Sequence, residues 1–189
     1  MKFNKKGIQN EPGASASMQN FRQLGYSLNS AISDLIDNSI TAKAKNIWID
    51  YSWGIDNSWI SITDDGKGMD ESELNEAMKM GSKSLNEERD KNDLGRFGCG
   101  MKTASLSQSK LLTVISKTAK SNLTARTWDV DHVVNSNIWE MLIPIIEPEE
   151  QILKRITNLK SGTTLMLQNL DKLDLSNEDI AEKHFYDSM

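Results

Sequence analysis

The stretch DLIDNSI, residues 34–40, places Asp34, Asp37 and Asn38 in a segment whose apolar spacing predicts a helix. Asp and Asn are mediocre helix formers, because their side chains compete for nearby backbone groups. Asp34 and Asn38 are four residues apart and therefore share one face. That face is either the wall of a polar binding site or an ordinary solvated surface. Asp37 reads as solvated, or as a brace for a neighbouring backbone group.

A second candidate is TDDGKGMD, residues 63–70, directly after a predicted strand. Gly66 and Gly68 permit positive φ and let backbone approach a ligand closely. Asp64 ends the strand, where its carboxylate can point into a pocket; a tight polar turn is the alternative. The third is LGRFGCGMKTAS, residues 94–105. Gly95, Gly98 and Gly100 precede a helix predicted to begin near residue 99. A helix N-terminus offers unpaired N–H groups and the positive dipole end, and glycines let phosphate oxygens reach them. Lys102 adds a point charge. Neither G-x-x-x-x-G-K-[ST] nor G-x-G-x-x-G is present.

These residues need elements to hold them. Apolar residues at Phe21, Leu24, Leu28, Ala31, Ile32, Leu35, Ile36 and Ile40 predict one helix over about 18–42. NIWIDYSW (46–53) and SWISITDD (58–65) alternate with period two and predict an antiparallel strand pair across GIDN. Asp70 with Glu73 forms a capping-box pattern ahead of a short helix. Residues 81–98 are charged and aperiodic, as expected of a functional lid or a disordered loop. A small-residue helix is predicted over about 99–107, with strands at 111–117, 123–130, 137–145 and 162–170. A short helix is expected near 149–156, and Ser176 with Asp179 would cap a last one. Residues 1–15 read as a flexible leader and 16–189 as one domain. The order of elements predicts α+β architecture: a two-layer sandwich, with helices on one face of a mixed, mainly antiparallel sheet.

The whole chain sets bounds on function. Its 189 residues, 38% hydrophobic and 26% charged, suit one globular domain. No run approaches the ~20 apolar residues that span a bilayer, and the first residues lack a secretory h-region. Cys99 is the only cysteine, which excludes an internal disulfide or a multi-cysteine metal site. His132 and His184 have no ligand-like spacing. A net charge of −5 argues against a general nucleic-acid binder. A cytoplasmic protein is expected, with no membrane partner.

Taken together, the acid–amide helix, D-x-G-x-G after a strand, the glycine-rich loop opening a helix, and G-T beginning a late strand resemble the GHKL ATPase superfamily. That superfamily groups gyrase, the ninety-kilodalton heat-shock chaperones, histidine kinases and MutL. The run FRQLGYSLNSAISDLIDNSITAKAKNIWI is most similar to MORC-like ATPases, especially bacterial ones, and the resemblance covers roughly residues 18–170. It implies the Bergerat ATP-binding fold, with ATP and Mg²⁺ as ligands. Asn38 would hold Mg²⁺ bridging the phosphates, and Asp64 would accept from the adenine amino group. Gly68 would admit the base, Met69 would pack near it, and Thr163 would sit at the adenine end. Gly95, Gly98, Gly100 and Lys102 would surround the phosphates; Gly66 and Met101 belong to the same two stretches and count as binding residues. Residues 80–98 would be the lid of a nucleotide-dependent, homodimerising switch.

One departure concerns turnover. Hydrolysing relatives usually carry Glu four residues before the Asn, to activate water, whereas this chain has Asp34. The shorter side chain withdraws the carboxylate by about 1.5 Å, and displacing a catalytic group by ~1 Å can cost ~10²-fold. Thr41 also replaces an acid of the usual DNSxDA. The expectation is a slow ATPase with Asp34 as the catalytic residue. An ATP sensor with little hydrolysis, or a kinase of the same superfamily, is the alternative. No His precedes Asp34 to accept a phosphoryl group, and MutL's G-F-R-G-E-A-L is missing. Related proteins carry a following transducer domain, so these residues are expected to be the N-terminal part of a longer protein, whose client, DNA or protein, the sequence does not name.

Overall fold

The computed structural model describes residues 11–23, 26–53, 58–81, 100–147 and 153–172. Two helices, α1 (Ala14–Phe21) and α2 (Leu28–Thr41), replace the single one expected over 18–42. Ser27 turns extended (φ −75°, ψ 159°) and its side chain accepts from the Ser30 N–H at 3.2 Å. Such a cap is worth ~1 kcal/mol and begins a helix rather than continuing one. The apolar period runs across the break because Met18, Leu28, Ile32 and Leu35 all enter one core. α1 also starts inside the stretch expected to be leader, with Ala14 buried.

The strand pair appears as expected: β1 (Ile47–Ser52) and β2 (Trp59–Asp64) are antiparallel. After it come α3 (Glu71–Met78), with both halves of the Asp70–Glu73 capping box formed, and α4 (Gly100–Gln108). β3 (Ser109–Lys117) and β4 (Thr124–Asp129) follow, then α5 (Val130–Ser136), α6 (Lys154–Asn158) and β5 (Gly162–Leu170). The strand expected at 137–145 is absent. Instead Asp129 caps the His132 N–H at 3.0 Å and the chain coils into α5, ending at Asn137 with φ 55°. Only Leu142 meets the sheet, through two 2.9 Å backbone bonds with Thr127. Trp139 ties this segment down by side-chain contact, edge-on to Trp128 and tilted against Phe21. Alternating apolar residues thus served packing, not a ladder. Of the helix expected near 149–156 only the end is described, as the start of α6; a helix capped by Ser176 lies outside the described residues.

The sheet order is β1-β2-β5-β3-β4, and every described pair is antiparallel, so the expected mixed sheet is wholly antiparallel here. Register places Ile60, Leu167 and Leu112 side by side, and likewise Ile62, Leu165 and Val114. This face packs on Met18, Leu35, Leu74, Leu106 and Val133 from α1 to α5. The expected sandwich is therefore the observed one, with one addition. α6 lies on the far face, where Leu153 and Ile156 cover Ile115, Ala125 and Met166. One step further along the helix-facing rows the apolar pairs give way to Asp64, Thr163 and Ser116, again neighbours across three strands.

Candidate functional site

This polar row is the floor of the site. Asp64 is only 2% exposed. Its Oδ1 accepts from the Gly66 N–H at 2.8 Å and its Oδ2 from the Ser39 hydroxyl at 3.1 Å. Burial pushes its pKa up, against the lowering effect of the bonds from Gly66 and Ser39. A carboxylate has about four acceptor positions, so Asp64 retains capacity for a further donor. Beside it, the Ser116 hydroxyl donates to the Gly162 carbonyl at 2.9 Å and accepts from the Met69 N–H at 2.8 Å. Thr163 Oγ1 lies 2.8 Å from Ser116 Oγ. With the Ser116 proton directed to Gly162, Thr163 is the donor of that pair.

The two glycines of DDGKG meet different neighbours. A Cβ on Gly66 would lie 2.8 Å from the Ala42 carbonyl oxygen, where the chain crosses the end of α2. Gly68 has φ 66°, and a Cβ there would stand 1.8 Å from the Lys117 carbonyl oxygen. The close approach that Gly68 permits within the chain is thus to the end of β3. The two acids diverge as well. Asp65 accepts from the backbone N–H groups of Lys45 (2.7 Å) and Asn46 (2.9 Å) and from the Asn46 amide (2.7 Å). These bonds lower its pKa, Asn46 contributing most, and lock the entry to β1 onto the exit of β2.

α2 supplies the adjoining wall. Asp34 and Asn38 are half-buried and one turn apart. Ser39, next to Asn38, turns inward and joins the helix to Asp64. The Tyr26 carbonyl accepts from Gln108 Nε2 at 2.8 Å; burial is the main cause that raises the pKa of its phenol, and the Asp34 charge adds to it. α4 packs against α2 and carries Gly100, Met101 and Lys102 in its first turn. Lys102 is 1% exposed, and its Nζ donates to the Ala77 carbonyl at 2.7 Å, at the last turn of α3. That is a favourable place for a cation, where helix carbonyls concentrate negative potential. Gly95 and Gly98 lie outside the described residues.

The structure thus joins Asp64, Gly66, Met69 and Thr163 in one hydrogen-bonded floor, with Gly68 in the same turn. It sets Asp34 and Asn38 on the neighbouring helix and Gly100–Lys102 on the helix packed against it. Sequence reasoning missed Ser39, Ser116 and Tyr26. Ser39 had a signal, being one position round the helix from Asn38. Ser116 had none, since only the register of β3 against β5 brings it beside Thr163. Among the described residues no group of three or more His, Cys, Asp or Glu is placed to hold a metal, and no helix is long and apolar enough to cross a membrane.

Residues 26–163 match the model of a family described as histidine kinase-, DNA gyrase B-, and HSP90-like ATPase. No curated protein matches the chain.

Proposed function

The chain belongs to the histidine kinase-, DNA gyrase B- and HSP90-like ATPase family, and from that premise we propose a Mg²⁺-dependent ATPase with slow turnover. The observation that carries the reading is the buried Asp64 carboxylate, held by Ser39 and Gly66 with acceptor capacity to spare. An adenine amino group supplies the donor it can still take. Met69, whose side chain packs against the core, and Thr163 adjoin the base. Asn38 offers the hard oxygen that Mg²⁺ favours; the ion completes its shell with phosphate and water oxygens, as it commonly does. Gly100, Met101 and Lys102, with Gly95 and Gly98, bind the phosphates. Asp34 orients the attacking water and takes its proton.

The test is base selectivity. Guanine presents a carbonyl where adenine presents its amine, so acceptor would face acceptor at Asp64. An unpaired buried group costs ~1–3 kcal/mol, or roughly 5- to 150-fold in affinity. Calorimetry should show Mg·ATP favoured over Mg·GTP by that ratio, with Asp64→Asn losing most of the preference. Equal affinities would remove Asp64 from the base site.

A second reading, an ATP sensor that scarcely hydrolyses, is favoured by the shorter reach of Asp34. Within the family, the run from Phe21 to Ile49 supports a MORC-like placement. The charged, glycine-flanked composition of 80–98 supports a lid that closes on the γ-phosphate and promotes homodimerisation.

A further inference from the structure

The outer edge of β4 borders an open cleft that no role assigned above uses. Thr127 and Leu142 exchange both backbone hydrogen bonds on this edge, so the next outward-facing pair along it is Ala125 with Pro144. Proline has no N–H and ends the pairing. The Ala125 carbonyl accepts instead from Arg126 Nη1 at 2.7 Å. Residues 143–146, the start of β4 and the first turn of α3 enclose a cleft of about 770 Å³, the size of a small-molecule site.

Its lining is part apolar and part charged. Leu123, Ile143 and Ile146 supply the apolar part, and Ile143 is 74% exposed. The charge is the Arg126 guanidinium, on a side chain only 8% exposed. Nη2 donates to Glu71 Oε1 at 2.6 Å, and Nη1 also reaches Thr124 Oγ1 at 3.4 Å. With the bond to Ala125, three of the five guanidinium donors are used, and among the described residues Nε has no acceptor. Nε and Nη2 form an edge that a carboxylate grips with both oxygens; Glu71 meets it with one. The pair is lopsided as well, since the cation is buried and the Glu71 side chain is 69% exposed. Asp70, the other carboxylate in the lining, is turned onto the Glu73 N–H at 2.9 Å.

We propose that this cleft binds an organic monocarboxylate with a branched apolar body. The carboxylate takes the Nε–Nη2 edge of Arg126 in place of Glu71, and the body covers Leu123 and Ile143. A single negative charge suits the cleft better than a phosphate dianion, because one cation stands among two carboxylates, Asp70 and Glu71. A free acid and the C-terminal residue of a peptide both present this chemistry. The cleft shares no residue with the proposed nucleotide site, and its test needs no ATP.

The experiment is an NMR titration of the nucleotide-free 189-residue chain, followed at the Arg126 Nε–H and Ile143 methyl signals. The probes are N-acetyl-leucine, N-acetyl-leucine amide, acetate and the peptide acetyl-Gly-Gly-Leu. N-acetyl-leucine should shift both signals and saturate with a Kd on the order of millimolar. The amide, which lacks the charge, and acetate, which lacks the body, should each bind about tenfold more weakly or worse. Arg126→Lys keeps the charge but loses the fork, and should weaken N-acetyl-leucine by about tenfold. Glu71→Gln removes the competing carboxylate and should tighten it by about threefold. An ion pair that only ties α3 to β4 predicts no such gain. Unmoved signals, an amide or acetate as tight as N-acetyl-leucine, or a Glu71→Gln chain with unchanged or weaker affinity overturns the proposal. Should Arg126→Lys lower the melting temperature, the amide and Glu71→Gln still decide. The peptide separates the sources: tighter binding than N-acetyl-leucine marks a peptide C-terminus, equal or weaker binding a free acid, and both support the site.

Discussion

Asp64 and Asp65 are adjacent carboxylates with opposite electrostatics, and the difference can be read in stability. Asp64 is pushed above 3.8 by burial, so the folded chain keeps a proton that the unfolded chain has released. Its contribution to stability therefore falls as pH rises from about 3.8 through the raised value, and stays as a constant cost beyond it. Asp65 is held below 3.8 by Asn46 and Lys45; its contribution is present above 3.8 and is lost as pH falls through the lowered value. Urea unfolding against pH should separate them. Asp64→Asn, whose amide can still accept from Gly66 and donate to Ser39, should gain on the parent only above about pH 3.8. Asp65→Asn should lose ground to the parent as pH rises from the lowered value to about 3.8, and keep that deficit above it. A pH-independent difference for either would contradict the assigned cause. Asp34 is tested by rate: Asp34→Asn should abolish phosphate release while ATP affinity is nearly intact, and Asp34→Glu should preserve or raise the rate. An Asp34→Asn chain as fast as its parent removes Asp34 as the base.

At the scale of elements, the turn between β2 and α3 must pass over the end of β3. Gly68 makes this passage with φ 66° and with the Lys117 carbonyl where a Cβ would stand. Gly81 has a similar φ, 71°, and among the described residues no atom lies within 4 Å of where its Cβ would stand. The pair separates backbone strain from steric conflict. Gly81→Ala should cost about 1–2 kcal/mol, the penalty of left-handed backbone. Gly68→Ala should exceed it by about 1–3 kcal/mol of overpacking, and weaken ATP binding besides, because relief requires Met69 to leave Ser116. Chemical denaturation with calorimetry checks both. Equal costs would mean that the β3 end yields freely.

For the molecule as a whole, the proposed switch predicts a nucleotide-dependent difference. A lid that contacts the γ-phosphate is stabilised by ATP more than by ADP, because only differential contacts shift a population. Hydrogen exchange over residues 80–98 should slow more with a non-hydrolysable ATP analogue than with ADP. Identical protection in the two complexes counts against the switch. The Nζ of Lys102, on the Ala77 carbonyl, ties the first turn of α4 to the last turn of α3, so the helices on either side of residues 80–98 are joined through a buried cation.

Much of this was legible in order and type. The antiparallel pair, the capping box at Asp70 and the late GTT strand were each carried by local chemistry: period, cap or glycine spacing. The break between α1 and α2 was not, because both helices bury onto one core and the apolar rhythm never falters. Nor was the loss of a strand at 137–145, where Trp139 found aromatic partners on α1 and β4 that no local pattern encodes. The candidate site divides the same way. Asp34, Asn38 and Asp64 stand out by type and position in the sequence alone. Ser39, Ser116 and Tyr26 are ordinary residues there. Helix rotation brings Ser39 to Asp64, strand register sets Ser116 beside Thr163, and the docking of α4 on α2 delivers Gln108 to the Tyr26 carbonyl. Contacts between residues distant in the chain depend on how elements pack, and only the tertiary structure decides that.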